Sequence, residues 1–331
     1  MKDKKDLIKV GYVAGSWATN IGNSFYNLGA LWLLKKLYGS ENVFLVPDPP
    51  QVYWNNVVND YSYIKHLDLD LFVFSGPIFN VKIMSKYLRL FDSLHKANKR
   101  IGFISTGSAQ YSEQESIAIS RMLNRYHLDY VFTRDLETFE LYRNKLNCKV
   151  FDGICTSMFL NDAINVPNIN DEYFVFNFDR KHEPHLKCID GIINVSHNKL
   201  FRKQKKYENI KIIRTVNRSF IPNIKYLNSS KILYSSENSY YSDLPYGYFA
   251  ILKNAKIVFS DRVHTCAATI ILGGQAMYIK NSKRSNDGRF NIFNRIGCEK
   301  IFSEPISINR GFISNEKQKM IDQIKTIVKD H

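Results

Sequence analysis

The sequence predicts an α/β protein of two Rossmann-like domains facing each other across a cleft, each built on a parallel sheet. Three observations lead there. Short runs of β-branched and aromatic residues recur along the chain and alternate with helical periodicities. Those runs end in small or polar residues, the pattern of strands whose parallel sheet exposes a polar edge. The chain has 331 residues, more than a single core usually serves. A polar stretch from Asn161 to Asp171, with Asn165, Pro167, Asn168 and Asn170, marks the division. It separates an amino-terminal domain, 1–165, from a second, 171–310, and leaves 311–331 as a closing helix.

In the first half, Ile8 to Val13 has the apolar alternation of an interior strand and ends at Gly15. The polar turn from Trp17 to Ser24 follows, then Leu28, Leu31, Leu34 and Leu37 recur at threes, the stripe of a helix lying on a sheet. Asn23 or Ser24 can cap this helix, and Gly39 closes it. Asn20, Asn23 and Ser24 therefore surround a strand-to-helix turn with free amides, an anion or sugar site or simply turn geometry. Val43 to Val46 is a second strand, and the aromatic segment from Gln51 to His66 is either a pocket wall or a surface helix.

Leu69 to Phe74 is a strand released at Ser75-Gly76-Pro77, and a helix is expected over Lys82–Ala97. Ile101 to Ser105 forms the next strand and releases Thr106-Gly107-Ser108-Ala109-Gln110. Gly76, Gly107 and Ser108 are candidate substrate contacts at those exits. Ser112 and Glu115 have capping-box spacing for a helix reaching Tyr126. Tyr130-Val131-Phe132 is a strand with Thr133-Arg134-Asp135 at its exit, before a helix over Leu136–Lys145. Thr133 is placed to cap that helix. Arg134 either reaches a ligand or pairs with a carboxylate. Val150 gives one more short strand.

The second half opens with a strand at Tyr173–Phe178, whose exit carries Asn177, Asp179 and Arg180 toward the cleft. Strands are expected at Gly191–Val195, Ile210–Val216 and Lys231–Tyr234, and Asp243 can cap a helix over Leu244–Asn254. The most informative stretch is Lys256 to Ala268. A buried strand ends at Ser260-Asp261, and Arg262, His264 and Thr265 stand at the start of a small-residue helix stopped by Gly273-Gly274. Open α/β folds bind ligands at such strand ends, and a helix N-terminus favours anions. One fixed cation beside one titratable imidazole points to a substrate bearing phosphate or carboxylate. A last helix spans Asn315–Val328 and braces one domain or the other.

Several function classes are excluded or disfavoured. No run approaches the roughly 18 apolar residues of a membrane span. The charged N-terminus, broken again at Lys9, does not read as a signal peptide. Five scattered cysteines form neither a disulfide framework nor a zinc pattern, which suits a reducing cytosol. No glycine spacing matches a dinucleotide or P-loop fingerprint. The net charge is +15, and much of the excess lies between Lys199 and Lys231, opposed only by Glu208. That cluster fits a solvated face, an acceptor's phosphates, or peripheral contact with an anionic membrane. The chain's tyrosines and phenylalanines mostly sit within apolar periodicities instead of alternating with this cluster, so no nucleic-acid partner is expected. No metal site is expected, because no histidine has ligand spacing with acidic partners.

The chain resembles the polysaccharide pyruvyl transferase family. The turn Asn20-Ile21-Gly22-Asn23, the Thr133-Arg134-Asp135 motif before a helix, and above all Ser260-Asp261-Arg262-Val263-His264 followed by small residues and Gly273 carry the likeness. It departs where the family often has glycine clusters, here Ser75-Gly76-Pro77 and Thr106-Gly107-Ser108. The resemblance implies a fold similar to the GT-B glycosyltransferases. It also implies phosphoenolpyruvate as co-substrate donor, no further cofactor, and a saccharide acceptor, lipid-linked or free, in bacterial surface-polysaccharide biosynthesis at the cytoplasmic side. By the same resemblance Arg262 binds the donor's phosphate or carboxylate and His264 serves the donor or acts as the acid. Two other readings remain: a glycosyltransferase using a nucleotide-activated sugar, and a glycan-binding relative without catalysis.

Overall fold

The computed structural model describes residues 8–14, 20–47, 61–178, 185–189, 192–196, 211–215, 217, 238–240, 242, 244–280, 290–308 and 310–329. The expected strand at Lys231–Tyr234, the Asp243 cap and most of the basic cluster lie outside these residues, as do 51–60 of the aromatic segment.

The first sheet holds β1 (Val10–Ala14), β2 (Val43–Pro47), β3 (Leu71–Phe79), β4 (Arg100–Ser108), β5 (Leu128–Thr133) and β6 (Lys149–Phe151). Its order is β2-β1-β3-β4-β5-β6, and every pairing is parallel. The helices between them are α1 (Gly22–Tyr38), α2 (Val81–Lys96), α3 (Glu113–Leu123) and α4 (Leu136–Tyr142). A 3-10 turn at Thr156–Phe159 and the short α5 (Leu160–Ala163) lead out of this half.

The second sheet holds β7 (Tyr173–Asn177), β10 (Lys211–Thr215), β11 (Ser239–Tyr240), β12 (Ile257–Ser260) and β13 (Ala276–Tyr278), in the order β11-β10-β7-β12-β13 and again all parallel. Between β7 and β10 a separate antiparallel hairpin pairs β8 (His185–Ile189) with β9 (Ile192–Ser196). Helices α6 (Tyr246–Asn254) and α7 (Val263–Ile271) flank β12; α8 (Asn291–Arg295) and α9 (Arg310–Lys329) follow. Two parallel sheets with flanking helices make the two-domain, GT-B-like α/β architecture expected from the sequence. Among the described residues no helix is long and apolar enough to cross a membrane.

Burial follows the alternation of strand side chains. Tyr173 and Val175 of β7 face the large core that α1, α6 and α7 share, while Phe174 and Phe176 line the opposite face with Phe259 and Met277. The large core runs continuously from β1 and α1 through α7 into the second sheet, with Phe25 and Phe249 rings 5.0 Å apart across the divide. The outer face of the first sheet buries Phe74 and Phe103 against Phe91 of α2, with α3 beside it.

Several local expectations are corrected. Helix α1 begins at Gly22 with Ile21 already in helical conformation and no side-chain cap, so Asn23 and Ser24 lie inside its first turn. The Asn20 Oδ1 accepts from the Gly22 N–H at 3.1 Å. Asp135, not Thr133, caps α4: its side chain accepts from Thr138 N at 2.7 Å, because β5 runs on through Thr133 and leaves Asp135 extended. Strands β3 and β4 continue past their expected ends through register shifts near Ser75, Gly76 and Thr106, so Gly76, Gly107 and Ser108 stand within strands. One half of the capping box is made, with Ser112 Oγ accepting from Glu115 N, while the Glu115 carboxylate accepts from Ser108 Oγ and the Ala109 and Gln110 N–H groups.

Helix α9 braces the first half. Lys317 Nζ donates to Asn161 Oδ1 and Asp162 Oδ2, both at 2.6 Å. Arg295 of α8 spans three segments, bonding Asp152 Oδ1 at 2.7 Å, the Gly153 carbonyl at 2.9 Å and Glu316 Oε2 at 2.6 Å. Burial alone would lower its pKa, but the two carboxylates outweigh that and raise it. Arg295→Met removes one cation from two half-buried carboxylates. The expected loss is about 1 to 3 kcal/mol, between exposed and buried pairs, read from the urea midpoint.

Candidate functional site

Each sheet has one place where the chain reverses its direction of winding, and open α/β sheets bind ligands in the crevice there. In the first sheet β2 lies on one side of β1 and β3 to β6 on the other, so the reversal falls between β1 and β3. Its carboxyl-terminal edge meets the start of α1 and the Ser75-Gly76 bulge. In the second sheet β10 and β11 lie on one side of β7, and β12 and β13 on the other. The reversal falls between β7 and β12, where Asn177 and Ser260 are register partners.

The last residues of those strands make a saturated polar hub. Asn177 Nδ2 donates to Thr215 Oγ1 (2.9 Å) and Asn217 Oδ1 (3.0 Å). Its Oδ1 accepts from Ser260 Oγ (2.9 Å) and Thr265 Oγ1 (3.0 Å). Asn217 Nδ2 donates to Thr265 Oγ1 at 2.8 Å. All five side chains are buried. A buried amide with every hydrogen bond made has one orientation, so the hub is rigid. It holds the start of α7 in place: the Arg262 N–H donates to Ser260 Oγ at 2.9 Å, with Arg262 extended at the N-cap position.

Arg262 and His264 are half-buried on this turn. The His264 ring lies 5.4 Å from the ring of Tyr26, at 52°. Tyr26 stands one turn beyond Gly22 on α1. A Cβ on Gly22 would lie 3.0 Å from Asn217 Nδ2 and 3.7 Å from His264 Cβ, so the starts of α1 and α7 meet closely. Gly76 has φ +87°, and a Cβ there would stand 2.6 Å from the Tyr26 hydroxyl. Asn20, Gly76, Ser260, Arg262, His264 and Thr265 are thus gathered where the two sheets' reversals face each other. Two helix N-termini, one guanidinium and one imidazole suit a small anion and a proton transfer. Ser24 Oγ, by contrast, donates to the Ile21 carbonyl at 2.5 Å and serves the helix start.

Gly107, Ser108 and Arg134 form a second group at the exits of β4 and β5. A Cβ on Gly107 would overlap Arg134 Nε. The buried guanidinium donates to Asp135 Oδ2 at 3.4 Å and to the Tyr111 hydroxyl at 3.5 Å. Burial works against its charge, yet Tyr111, Asp135 and Cys155 outweigh that and hold its pKa above the ordinary value. Ser108 Oγ donates to buried Glu115 Oε2 at 2.7 Å, and Ser108 N to Thr138 Oγ1. The Cys266 thiol beside the hub is pushed well up by burial and stays protonated at neutral pH. Among the described residues no three His, Cys, Asp or Glu side chains gather as a metal site. Asp179 and Arg180 lie outside the described residues. Of the basic cluster, Lys211 and Arg214 are described on β10, Lys211 paired with Asp171 at 3.3 Å.

The sequence profile of the polysaccharide pyruvyl transferase family matches residues 20–283, from the Asn20 turn to beyond the Arg262–His264 helix. The chain belongs to that family. Its members are transferases acting in polysaccharide biosynthesis. No curated protein matches this chain. Among solved structures, a UDP-GlcNAc 2-epimerase from Neisseria meningitidis bound to UDP-GlcNAc is 12% identical, with a TM-score of 0.51, covering 96% of this chain and 99% of that one. A Listeria monocytogenes protein assigned as a UDP-N-acetylglucosamine 2-epimerase is 11% identical, with a TM-score of 0.52 and coverage of 97% and 90%. At such identities the likeness concerns the two-domain fold.

For this pyruvyl transferase family member, Tyr26 and Asn217 escaped sequence reading. Tyr26 sits at i+4 from Gly22, a spacing that puts both on one helix face, and so it could have been found. Asn217 follows β10 by two residues, and only the strand order brings it beside Thr265.

Proposed function

We propose that the protein moves a pyruvyl group from phosphoenolpyruvate to a sugar, forming a ketal in a bacterial surface polysaccharide. The observation that supports it is Arg262 and His264 on the first turn of α7, at the winding reversal of one sheet and against the start of α1 from the other. The second half, 171–310, takes the donor; the first, 1–165, presents the acceptor; and 311–331 closes the fold. Arg262 holds the donor's carboxylate or phosphate through paired N–H donors, helped by the helix amides. His264, as imidazolium, places a proton on the methylene carbon. A sugar hydroxyl bonds to the cationic carbon so formed, phosphate leaves with the electron pair of its C–O bond, and a second hydroxyl closes the ketal. Of the two hydroxyl protons released, one replaces that placed on carbon and one leaves with phosphate.

The test is a donor panel. The protein is incubated with phosphoenolpyruvate or with nucleotide sugars, in the presence of methyl hexosides, N-acetylhexosaminides and lipid-linked saccharides. Phosphate release matched by the pyruvyl gain in product mass is expected. Release of nucleotide instead would select a sugar transfer. Glycan binding with neither donor consumed would leave a binding protein.

A further inference from the structure

We propose that Asn217 is a positioning residue that holds the His264 turn in register with the first sheet, so that donor and acceptor meet at bonding distance. Its functional half rests on the transfer reading above; its structural half does not. Asn217 uses three groups in three directions. Nδ2 donates to Thr265 Oγ1 at 2.8 Å, next to His264 in the chain. Oδ1 accepts from Asn177 Nδ2 at 3.0 Å, at the winding reversal. Its main-chain carbonyl accepts the Ile21 N–H at 2.6 Å, and Ile21 opens α1 of the first half. Gly22 lets the joint close, since a Cβ would come within 3.0 Å of the Asn217 amide. One buried residue therefore ties the start of α1 to the start of α7. A displacement of about 1 Å in a reacting geometry can cost about 100-fold in rate, so such a tie has functional value although Asn217 touches no reacting atom.

Two variants test this. Ile21→Pro deletes the N–H that the Asn217 carbonyl receives while keeping the observed φ of −59°, which proline adopts at a helix start. Ile21→Ala keeps the N–H and serves as reference for the lost side chain. Asn217→Ala removes the two side-chain bonds. Hydrogen–deuterium exchange in peptides covering 20–24 and 262–266 is expected to rise about tenfold or more in Ile21→Pro and Asn217→Ala, with β3 to β5 unchanged. Turnover should fall about 10- to 100-fold, while phosphoenolpyruvate affinity by calorimetry stays within about twofold. Unchanged exchange at 262–266 in Ile21→Pro overturns the tie between the two helix starts. Faster exchange with intact turnover, or a loss confined to donor affinity, overturns the positioning role. If the wild-type protein transfers no pyruvyl group, the transfer reading and the positioning role fail together, while the exchange result still decides the tie.

Discussion

His264→Ala is expected to lower pyruvyl transfer by about 100- to 10,000-fold, the range for removing a positioned general acid, and to leave the protein folded. The imidazole lies on the first turn of α7, half-buried, with its ring against Tyr26. It is not part of the Asn177 hub that fixes this turn, so its loss leaves those bonds in place. Alanine is also the better helix former, which offsets part of the lost ring contact. The measurement is initial rate of product formation beside the thermal midpoint. Retention of more than about a tenth of wild-type turnover would remove His264 from the proton route, since even a modest general acid contributes more. Arg262→Lys should behave differently. A point charge replaces a planar fork, so donor affinity should weaken more than turnover.

Gly29→Ala should give the largest loss of stability, about 3 kcal/mol, the upper end of ordinary overpacking. Mid-helix Gly to Ala normally gains about 1 kcal/mol, so the predicted sign is reversed. The reason is close approach. A Cβ on Gly29 would overlap the Thr156 carbonyl oxygen, and that segment cannot easily retreat. Thr156 Oγ1 donates to the Tyr26 carbonyl at 2.8 Å, and Thr156 N to Ser105 Oγ at 2.9 Å. Ser105 itself sits at φ +55°. Urea unfolding should show a lowered midpoint at unchanged slope; an unchanged midpoint would mean α1 shifts freely.

Much of the candidate site's placement was legible because its residues are local in the chain. Strand, turn and helix from Ile257 to Ile271 follow each other directly, so Arg262 and His264 had to stand at a strand exit and a helix start. The same logic located the α1 turn and the Ser112 cap of α3. What failed was either finer or longer in range than local pattern. The bulges that carry β3 through Gly76 and β4 through Ser108 depend on neighbouring strands, and apolar alternation stops short of them. The Thr133 and Asp135 roles differ by where β5 ends, a matter of two residues. Asn177, Thr215 with Asn217, and Thr265 come from three separate segments, and only the order β11-β10-β7-β12-β13 unites them. Arg134 was legible as a cation but not as one wedged over Gly107.

The pairing of Lys317 with Asp162 joins positions 155 apart, and that distance sets a schedule during synthesis. At the usual pace of about 5 to 20 residues per second, the ribosome needs roughly 8 to 30 s to make the intervening stretch. Throughout that interval the greasy floor around Phe159 and Leu160, which Ile313, Ile321 and Ile324 later roof over, stands open to other nascent chains. Chaperone dependence in the cell should therefore track translation speed across the second half.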